Sequence, residues 1–560
     1  MISCDSKNAV KFFAALSALV LSLASAPAGA AVWNAPVSSR YVEWLKSGRE
    51  GYAPSQIDWS FARGRSPAVR GRGVPDLPVS YDLAAEGRVT RVEDQRNWGT
   101  CWSFATIKAI ESSILNDLVL NPERKAYDLS ELHLAYFAYS FEEPGNPGFT
   151  RLINDPSTQN AIFDNGGFNN TSIALLSRGT GPVYDSDAPY PSALDGADGY
   201  TWANYLPPAP YARARFRLKE ALFLYEAEEM KEALLDIGAL AVRFFADNDY
   251  LSGGFNFYYP DDEVIDHSVT LVGWDDNYPK ENFRTSDGRV PPRDGAWRIQ
   301  NSWGENEGDN GYYWISYEDT SFCSDEGAMA FKMAPADSFD GIYFHDPLGM
   351  SGVLDTDISE LRMSNAFSAA RDEKIVSVGF FTANIDIGYE IQIYRNIPNG
   401  GDPGAGVPAL SAPQRGRAGA MGYYSVTLDE PVQLRNGERF AVEVNLIAEE
   451  GTYPNTVKVP VETMIYGTSD NASVAPGESY WYGDGEWHDT YNDLLSAEDE
   501  DSYSERNFNF NVKAFTLASA AGGSGSGCGS GVFGLAALFA IMAVLFKASR
   551  GKRARGKISA

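Results

Sequence analysis

A cysteine at the start of a predicted helix is the residue best placed in this sequence to act as a nucleophile. Cys101 follows a glycine-containing turn, with Thr100 as the predicted N-cap. Apolar residues then recur with helical spacing, at Phe104, Ile107, Ile110, Ile114 and Leu118. A thiol in the first helical turn meets the positive end of the helix dipole and unpaired N–H groups, which favour the thiolate. Gln95, on the turn before the helix, is placed to donate to an oxyanion forming beside the sulfur.

A histidine and an asparagine far downstream have the chemistry to serve this cysteine. His267 alternates with polar neighbours on a predicted strand, and Asn301 does so at the end of another. If the two strands are neighbours, the Asn301 side-chain oxygen would hold the imidazole and fix its tautomer and ring angle. Each residue taken alone is more typical of a packed strand residue or a turn.

Five segments in a fixed order resemble the papain family of cysteine peptidases. They are Gln95, Cys-Trp-Ser-Phe-Ala from Cys101, Asp-His-Ser-Val-Thr-Leu-Val-Gly-Trp around His267, Trp-Arg-Ile-Gln-Asn-Ser-Trp-Gly around Asn301, and Gly-Tyr-Tyr-Trp-Ile from Gly311. The resemblance covers roughly residues 77–335. It implies an α+β fold of two lobes, a helical left lobe and a β-barrel right lobe. It also implies that Cys101 is the nucleophile, His267 the base, Asn301 its orienting partner and Gln95 part of the oxyanion hole.

The same resemblance implies the substrate cleft and the resting state. Gly166 and Gly167 are similar to the glycine pair that lines the family's cleft, and Trp303 would cover the His267–Asn301 hydrogen bond. The cysteine and histidine are expected to rest as thiolate and imidazolium, with the thiol pKa well below its free value of roughly 8.5. The family's second cysteine, three residues before the nucleophile, is replaced here by Trp98.

The other cysteine and histidine residues of the folded body are interpreted as structural. Cys323 lacks the glutamine and helix-start context, and a buried structural thiol is the better interpretation. His133 is assigned to a helix, whereas His345 and His488 are expected to be solvated or structural. No zinc-ligand spacing appears in the sequence, and no metal or other cofactor is expected.

Several elements would have to position these residues. Ser130 is predicted to cap a second helix, and residues 171–178 are predicted to form a short third helix. Residues 218–238 are predicted to form a charged amphipathic helix region, and residues 239–244 the strand that opens the right lobe. Extra length between Cys101 and His267 is assigned to surface insertions near residues 141–162 and 192–218.

Composition restricts the partners and the compartment. The formal net charge of −29 argues against binding to nucleic acid, whose phosphates would be repelled. Of the four cysteines, Cys4 lies in a predicted signal peptide and Cys528 in the C-terminal tail. Only two remain in the folded body, so a disulfide framework is not expected.

The N-terminal residues divide into a predicted signal peptide and a predicted propeptide or linker. Residues 1–30 contain Lys7 and Lys11, an apolar run at residues 12–23, and a small-residue cleavage site before Ala31. Residues 31–76 are loop-like, with a short helix predicted near Tyr41. By the resemblance they would block the cleft until removed, although they lack the long helical pattern of the family's usual prosegments. Arginines at positions 63, 65, 70 and 72 indicate a processing region, and the alternative for that stretch is a flexible linker.

Residues 340–517 are predicted to form a β-sandwich. Short β-rich runs at residues 375–381, 389–394 and 440–445 are separated by Gly, Pro and Asn turns. The region resembles the lectin-like domain that follows papain-like domains in some bacterial surface proteins. That name describes a fold similarity, and glycan binding does not follow from it. Trp481 and Trp487 are placed to stack on a sugar, although packing in the core is the preferred interpretation.

The C-terminal tail has three parts. Residues 518–531 form a Gly/Ser-rich spacer that contains Cys528, and residues 532–560 an apolar stretch followed by a basic end. The pattern resembles bacterial C-terminal sorting tails with a Gly/Ser/Cys motif, which are cut near that motif. The alternative is a permanent transmembrane segment with its basic end in the cytoplasm.

These observations lead to one main hypothesis and two alternatives. The main hypothesis is an exported, surface-displayed cysteine endopeptidase that cleaves protein or peptide substrates and is held at the membrane by its C-terminal segment, or sorted and cleaved near Cys528. In the first alternative the chain is an adhesion protein whose β-domain binds glycans. In the second, an amine replaces water at the acyl-enzyme and the protein is an acyl transferase.

Overall fold

The fold was analysed in a computed structural model, which describes residues 32–35, 37–46, 54–62, 77–139, 148–149, 163, 166–190, 214–261, 265–465, 467–492 and 504–519. The predicted signal peptide, most of the two predicted insertions, nearly all of the Gly/Ser-rich spacer with Cys528, and the whole predicted membrane segment lie outside these residues.

Five α-helices occur in the described residues. They are α1 (Ser39–Lys46), α2 (Cys101–Asn116), α3 (Glu131–Tyr139), α4 (Asn169–Ser177) and α5 (Ala227–Asp236).

The first ten strands precede residue 336. They are β1 (Val32–Asn34), β2 (Ser80–Asp82), β3 (Phe216–Leu224), β4 (Leu240–Phe244), β5 (Leu251–Ser252), β6 (Asn256–Phe257), β7 (His267–Asp275), β8 (Ala296–Gln300), β9 (Tyr312–Ser316) and β10 (Ala328–Pro335).

The remaining strands follow residue 340. They are β11 (Gly341–Tyr343), β12 (Gly352–Thr356), β13 (Glu360–Ser368), β14 (Glu373–Thr382), β15 (Ile387–Arg395), β16 (Val407–Pro408), β17 (Gln414–Ala418), β18 (Met421–Leu434), β19 (Arg439–Ile447), β20 (Val459–Ile465), β21 (Ser479–Gly483), β22 (Glu486–Asp489), β23 (Ser504–Phe510) and β24 (Lys513–Ala518).

Helix α2 is the central element of a helical lobe. It begins at Cys101 as predicted, and all but its first and last residues are buried. It packs against α3 and α4 on one side and against strands β4, β7 and β10 on the other. The predicted cap of α3 is confirmed, because the His133 N–H donates to Ser130 Oγ at 3.0 Å.

The second lobe is built on antiparallel strands in the order β10-β4-β7-β8-β9. Strand β4 confirms the predicted strand at residues 239–244. The prediction of a helix over residues 218–238 was half wrong, because Phe216–Leu224 form a strand and only Ala227–Asp236 are helical. Apolar residues alternate with exposed or half-exposed ones along β3, and hydrogen bonds to β10 on one side and β18 on the other stabilise the extended form.

The C-terminal β-region contains the predicted strands in β14, β15 and β19. A seven-stranded sheet in the order β16-β15-β19-β13-β21-β22, with β17 paired to β15, faces a core of buried aliphatic and aromatic residues. On the other side, β18 pairs with β3, so one 13-stranded sheet runs from this region into the β-lobe. The two regions are therefore joined by main-chain hydrogen bonds.

Buried charges reinforce this junction. Lys513 and Asp346 form an ion pair with both side chains fully buried, and Asn511 Nδ2 donates to Asp346 at 2.7 Å. Burial lowers the pKa of Lys513 and raises that of Asp346, and each partner opposes the shift of the other. From the helical lobe, Asn170 Nδ2 donates to the Leu348 carbonyl at 3.2 Å.

The N-terminal residues are more ordered than the predicted loop. Strand β1 adds to the edge of the sheet β1-β12-β20-β23. The short helix predicted near Tyr41 is confirmed in α1, which packs Tyr41 and Trp44 against Phe168 and Ile465. Trp59 stacks on Phe223 at 5.4 Å between ring centroids. These residues therefore contact both the helical lobe and the C-terminal region.

Among the helices of the described ranges, none combines the length and the apolar character that a membrane crossing requires.

Replacing Lys513 with methionine is expected to destabilise the junction. The substitution leaves Asp346 buried without its cation, and breaking a buried pair in this way costs about 3 kcal/mol or more. Urea unfolding followed by tryptophan fluorescence should show this loss for Lys513→Met. Lys219→Met, at an exposed lysine, is the control and should unfold like the parent. Equal stability of the two variants would contradict a structural role for the pair.

Candidate active site

The turn before α2 is held by hydrogen bonds that the sequence did not reveal. Thr100 occupies the N-cap position as predicted, but its side chain does not cap the helix. Its hydroxyl lies 2.8 Å from Tyr190 Oη, and the Tyr190 hydroxyl donates to the Gln95 carbonyl at 2.9 Å. Because Tyr190 has one hydroxyl proton, Thr100 is the donor in the first of these bonds.

Tyr190 is the functional residue that sequence reasoning missed. It contacts both ends of the turn that carries Gln95 and leads into Cys101. Its ring also packs edge-on against Phe104, with 4.9 Å between centroids. A tyrosine in a Pro-Tyr-Pro turn offers no periodic signal, so only the fold could place it next to α2.

The Asn301 side chain holds the His267 imidazole as predicted. His267 begins β7 and Asn301 follows β8, and these strands are antiparallel neighbours. Nε2 of His267 lies 2.8 Å from Oδ1 of Asn301, and the Ser302 N–H donates to the same oxygen at 2.8 Å. Since that oxygen accepts from Ser302, the imidazole carries its proton on Nε2, which leaves Nδ1 as the basic nitrogen.

Trp303 covers this hydrogen bond, as expected. Its ring is stacked on the His267 ring, with 4.9 Å between centroids and an interplanar angle of 22°. His267 is 7% exposed and Asn301 3%. The bond is therefore shielded from water, which strengthens it.

Gln95 is fixed by the segment that follows Asn301. Ser302 Oγ donates to Gln95 Oε1 at 2.6 Å, and the Gln95 N–H donates to the Ser302 carbonyl at 2.8 Å. The amide nitrogen Nε2 donates to the Trp98 carbonyl at 2.7 Å, which sets the amide orientation and leaves its second proton for another acceptor. Gln95 thus joins the helical and the β-lobe beside Cys101.

The thiol of Cys101 lies beside Ser268, the residue after His267. Burial raises the pKa of Cys101, although hydrogen bonds from the Ser268 backbone and hydroxyl oppose the shift. Burial also lowers the pKa of His267, although the hydrogen bond to Asn301 and the charge of Asp266 act in the opposite direction and raise it. Both shifts favour the neutral forms over the expected thiolate–imidazolium pair, which stays a prediction.

The two predicted cleft glycines lie next to α2. A Cβ on Gly167 would lie 2.5 Å from the Trp102 ring, so this position excludes any side chain. Gly166 has a φ of +66°, a conformation that favours glycine. Their predicted role in pairing with substrate stays a prediction.

The residues predicted to be structural are buried or paired. Cys323 is 8% exposed, and burial raises its pKa to about 12. His133 is 1% exposed, and burial lowers its pKa to about 3. His345 Nδ1 lies 3.3 Å from Glu478. Within the described ranges, no group of three side chains is arranged to hold a metal ion.

Two family models match consecutive parts of the chain. The model of the papain family cysteine proteases matches residues 77–333, and the lectin-like domain model matches residues 342–516.

Curated relatives resemble the first of these parts. A cathepsin L-like peptidase of Aedes aegypti is 26% identical over 44% of this chain and 61% of its own length. Cysteine proteinase 15A of Pisum sativum is 27% identical over 43% of this chain and 58% of its own length. The chain thus spans about three fifths of these relatives.

Solved structures resemble both parts. The cysteine protease and lectin-like domains of Cwp84, a surface layer associated protein of Clostridium difficile, match 87% of this chain and 98% of that chain, with a TM-score of 0.68 and 24% identity. A cysteine-to-alanine variant of Cwp84 after propeptide cleavage matches 79% of this chain and 99% of that chain, with a TM-score of 0.63 and 26% identity. The predicted fold of a papain-like domain followed by a β-rich domain is therefore confirmed.

The pH dependence of Cys101 alkylation by iodoacetamide should be that of a thiol that is neutral in the resting protein. With a raised thiol pKa the thiolate forms only as pH increases, so the rate in the full chain should rise continuously between about pH 6 and pH 9. Mass spectrometry of the Cys101 peptide measures it, and the Cys323 peptide serves as an internal control for a buried thiol. A rate that is already level near pH 6 would instead indicate a thiolate–imidazolium pair.

Proposed function

Residues 77–333 of this chain form a papain-family cysteine protease domain and residues 342–516 a lectin-like domain, and we propose that the protein is an endopeptidase that cleaves through Cys101. The observation that carries the proposal is one buried hydrogen-bonded network that joins three of the predicted residues at the turn into Cys101. His267 is held by Asn301, Asn301 is adjacent to Ser302, and Ser302 fixes Gln95 at the turn into Cys101.

In the proposed mechanism, substrate binding converts the neutral pair into the reactive one. Nδ1 of His267 takes the thiol proton, and the Asn301 oxygen stabilises the imidazolium through the Nε2 proton. The sulfur then bonds to the carbonyl carbon of the peptide, and the carbonyl oxygen becomes an oxyanion. The free Nε2 proton of Gln95 and the Cys101 N–H donate to it, an effect worth about 3–4 kcal/mol for one donor.

The second half of the reaction returns the enzyme to its starting state. His267 gives its proton to the leaving nitrogen as the C–N bond breaks, which leaves a thioester on Cys101. Water, deprotonated by His267, attacks the thioester carbon, the C–S bond breaks, and the new carboxyl group is released. His267 then returns its proton to the Cys101 sulfur. The stacked Trp303 ring keeps other water from the His267–Asn301 bond throughout.

Labelling by an epoxide-type thiol inhibitor tests the proposal directly. The protein is produced as residues 31–517, and its N-terminal residues are then removed by proteolysis. The trimmed protein should be labelled at Cys101 and should cleave a denatured protein. Cys101→Ala should abolish both results. His267→Ala should lower the labelling rate by about 100-fold, because general-base catalysis typically contributes this factor or more.

Two results would contradict this function. One is cleavage that persists in Cys101→Ala, and the other is a failure of Cys101 to label even after trimming to Leu77. Cys323→Ala is the matched control, since its buried thiol has no assigned part in the reaction and its variant should keep full activity.

We also propose that the N-terminal residues inhibit the peptidase. Phe168, which follows the glycine pair, packs against Tyr41 and Trp44 of α1, and Ser55 and Gln56 are 4% and 3% exposed. The arginines at positions 63, 65, 70 and 72 form the proposed processing region. Cwp84 was solved after cleavage of a propeptide, which supports removal of the corresponding segment here.

Trimming should therefore activate the enzyme. The chain beginning at Leu77 is expected to cleave a denatured protein at least about tenfold faster than the chain beginning at Ala31, as an occluded cleft binds no substrate. Adding the separate peptide of residues 31–62 should restore inhibition. Equal activity of the long and trimmed forms would leave the segment without an inhibitory role.

The proposed site of action is the cell surface. The Lys7/Lys11 signal pattern supports export, and the apolar and basic C-terminal residues support retention at the membrane or sorting near Cys528. Protease accessibility of the protein on intact cells, compared with a variant lacking residues 519–560, tests this placement.

Glycan binding by the lectin-like domain is the second candidate function. The strand register places five residues in one row across β15, β19, β13, β21 and β22. They are Glu390, Asn445, Arg362, Tyr482 and Trp487. The Arg362 guanidinium lies 4.2 Å from the Tyr482 ring centroid and 5.2 Å from that of Trp487. Half-buried aromatic and polar groups in such a row suit a sugar ring. Trp481, in contrast, stacks on His488. A glycan array probed with residues 31–517 tests this function.

A further inference from the structure

A buried ion pair lies beside the candidate nucleophile and takes no part in the proposed chemistry. Arg243 on β4 pairs across the sheet with Ser268, the residue whose hydroxyl contacts the Cys101 thiol. Its Nη2 lies 2.7 Å from Glu326 Oε2 and 2.8 Å from Asp325 Oδ2. Arg243 and Glu326 are each 2% exposed. We refer to Arg243, Asp325 and Glu326 as the charged floor.

Glu326 connects the charged floor to the opposite wall of the cleft. Its Oε2 accepts a hydrogen bond from the Asn169 N–H at 3.1 Å. Asn169 starts α4, two residues after Gly167. The charged floor therefore lies between Ser268 and the start of α4, which follows the predicted cleft glycines. The Asn169 side chain is itself buried, and its Nδ2 has no partner within the described part of the chain.

A hydroxyl group from the N-terminal residues occupies this place. The Ser55 side chain is hydrogen-bonded to the Glu326 carboxylate. Since the carboxylate accepts, the Ser55 hydroxyl is the donor, and its oxygen in turn accepts from the Ile57 N–H at 3.2 Å. A short side chain with one donor thus completes the hydrogen bonding of Glu326.

We propose that the charged floor determines specificity, and that it selects a substrate residue whose short side chain carries a hydroxyl or amide donor. The inference rests on the proposed peptidase function, with Ser55 as the stand-in for that residue. An aliphatic side chain could not replace the Ser55 donor. Glu326 would then keep Arg243 and the Asn169 N–H but lose one hydrogen bond in a buried polar site, which is penalised. A cationic side chain would meet the Arg243 guanidinium, which already neutralises Glu326.

Cleavage-site profiling tests the proposal. The processed chain is incubated with a tryptic peptide mixture from a bacterial proteome, and the new termini are mapped by mass spectrometry. One position relative to the cleaved bond should be enriched in Ser, Thr, Asn or Gln. Synthetic peptides with serine at that position should have a kcat/KM about tenfold above their leucine counterparts, because leucine cannot supply the hydrogen bond that Ser55 donates to Glu326.

Two variants separate specificity from folding and from catalysis. In Arg243→Met/Glu326→Leu the buried pair becomes apolar, a replacement that proteins often tolerate, and the preference should change to aliphatic residues. Arg395→Met/Glu438→Leu, at a less buried ion pair in the lectin-like domain, is the control and should keep the parent preference. If the first variant does not fold, Glu326→Gln should still reduce the serine-to-leucine ratio.

The outcomes are distinguishable. Epoxide labelling of Cys101 together with a donor preference that the floor variants remove supports the inference. Labelling with an aliphatic or cationic preference in the parent chain, or with a preference that the floor variants leave unchanged, overturns it while the peptidase function stands. Absence of both labelling and cleavage overturns the peptidase function, and the inference with it.

Discussion

The junction between Gln95 and Ser302 is the interaction on which the geometry of the site depends. Two hydrogen bonds join these residues, one between backbones and one between side chains. Through the Ser302 N–H the junction also fixes Asn301, and through Asn301 it fixes His267. Gln95 and His267, which are proposed to act on one carbonyl, therefore come from two lobes but belong to one hydrogen-bonded network, which holds them in place before the reaction.

Desolvation explains both the stability and the resting chemistry of this site. The same burial that shields the His267–Asn301 bond also favours the neutral forms of the thiol and the imidazole. Buried charges elsewhere persist because they are paired. Below the catalytic helix, Lys108 lies 2.9 Å from Glu93 and 3.0 Å from Glu111. The charges of Lys108, Glu93 and Glu111 thus compensate one another, and the charged floor is paired in the same way.

The lectin-like domain and the N-terminal residues are structural parts of the peptidase. Main-chain pairing of β18 with β3 extends one sheet across both domains, and β1 extends a second sheet of the lectin-like domain. The N-terminal residues bury Trp59 against Phe223 of β3 and place Ser55 on Glu326. Removal of these residues would expose cleft groups that are now satisfied within the chain, which couples processing to the chemistry that the cleft can select.

The sequence by itself determined the chemical identities and the local elements. Helix α2 and strands β7 and β8 follow from apolar periodicity, and Cys101, His267, Asn301 and Gln95 were found from residue type, spacing and family resemblance. Only the tertiary structure decided which distant groups meet. It placed the Tyr190 hydroxyl on the Gln95 carbonyl, the Ser55 hydroxyl on the Glu326 carboxylate, and Arg243 opposite Ser268 on the neighbouring strand. It also made residues 216–224 a strand, because hydrogen bonds from β10 and β18 outweighed local helix preference. Hydrophobic periodicity indicates which face of a helix or strand is buried. The pKa values and polar contacts of that face depend on which other residues pack against it. Those residues come from distant segments, so no single segment of the sequence identifies them.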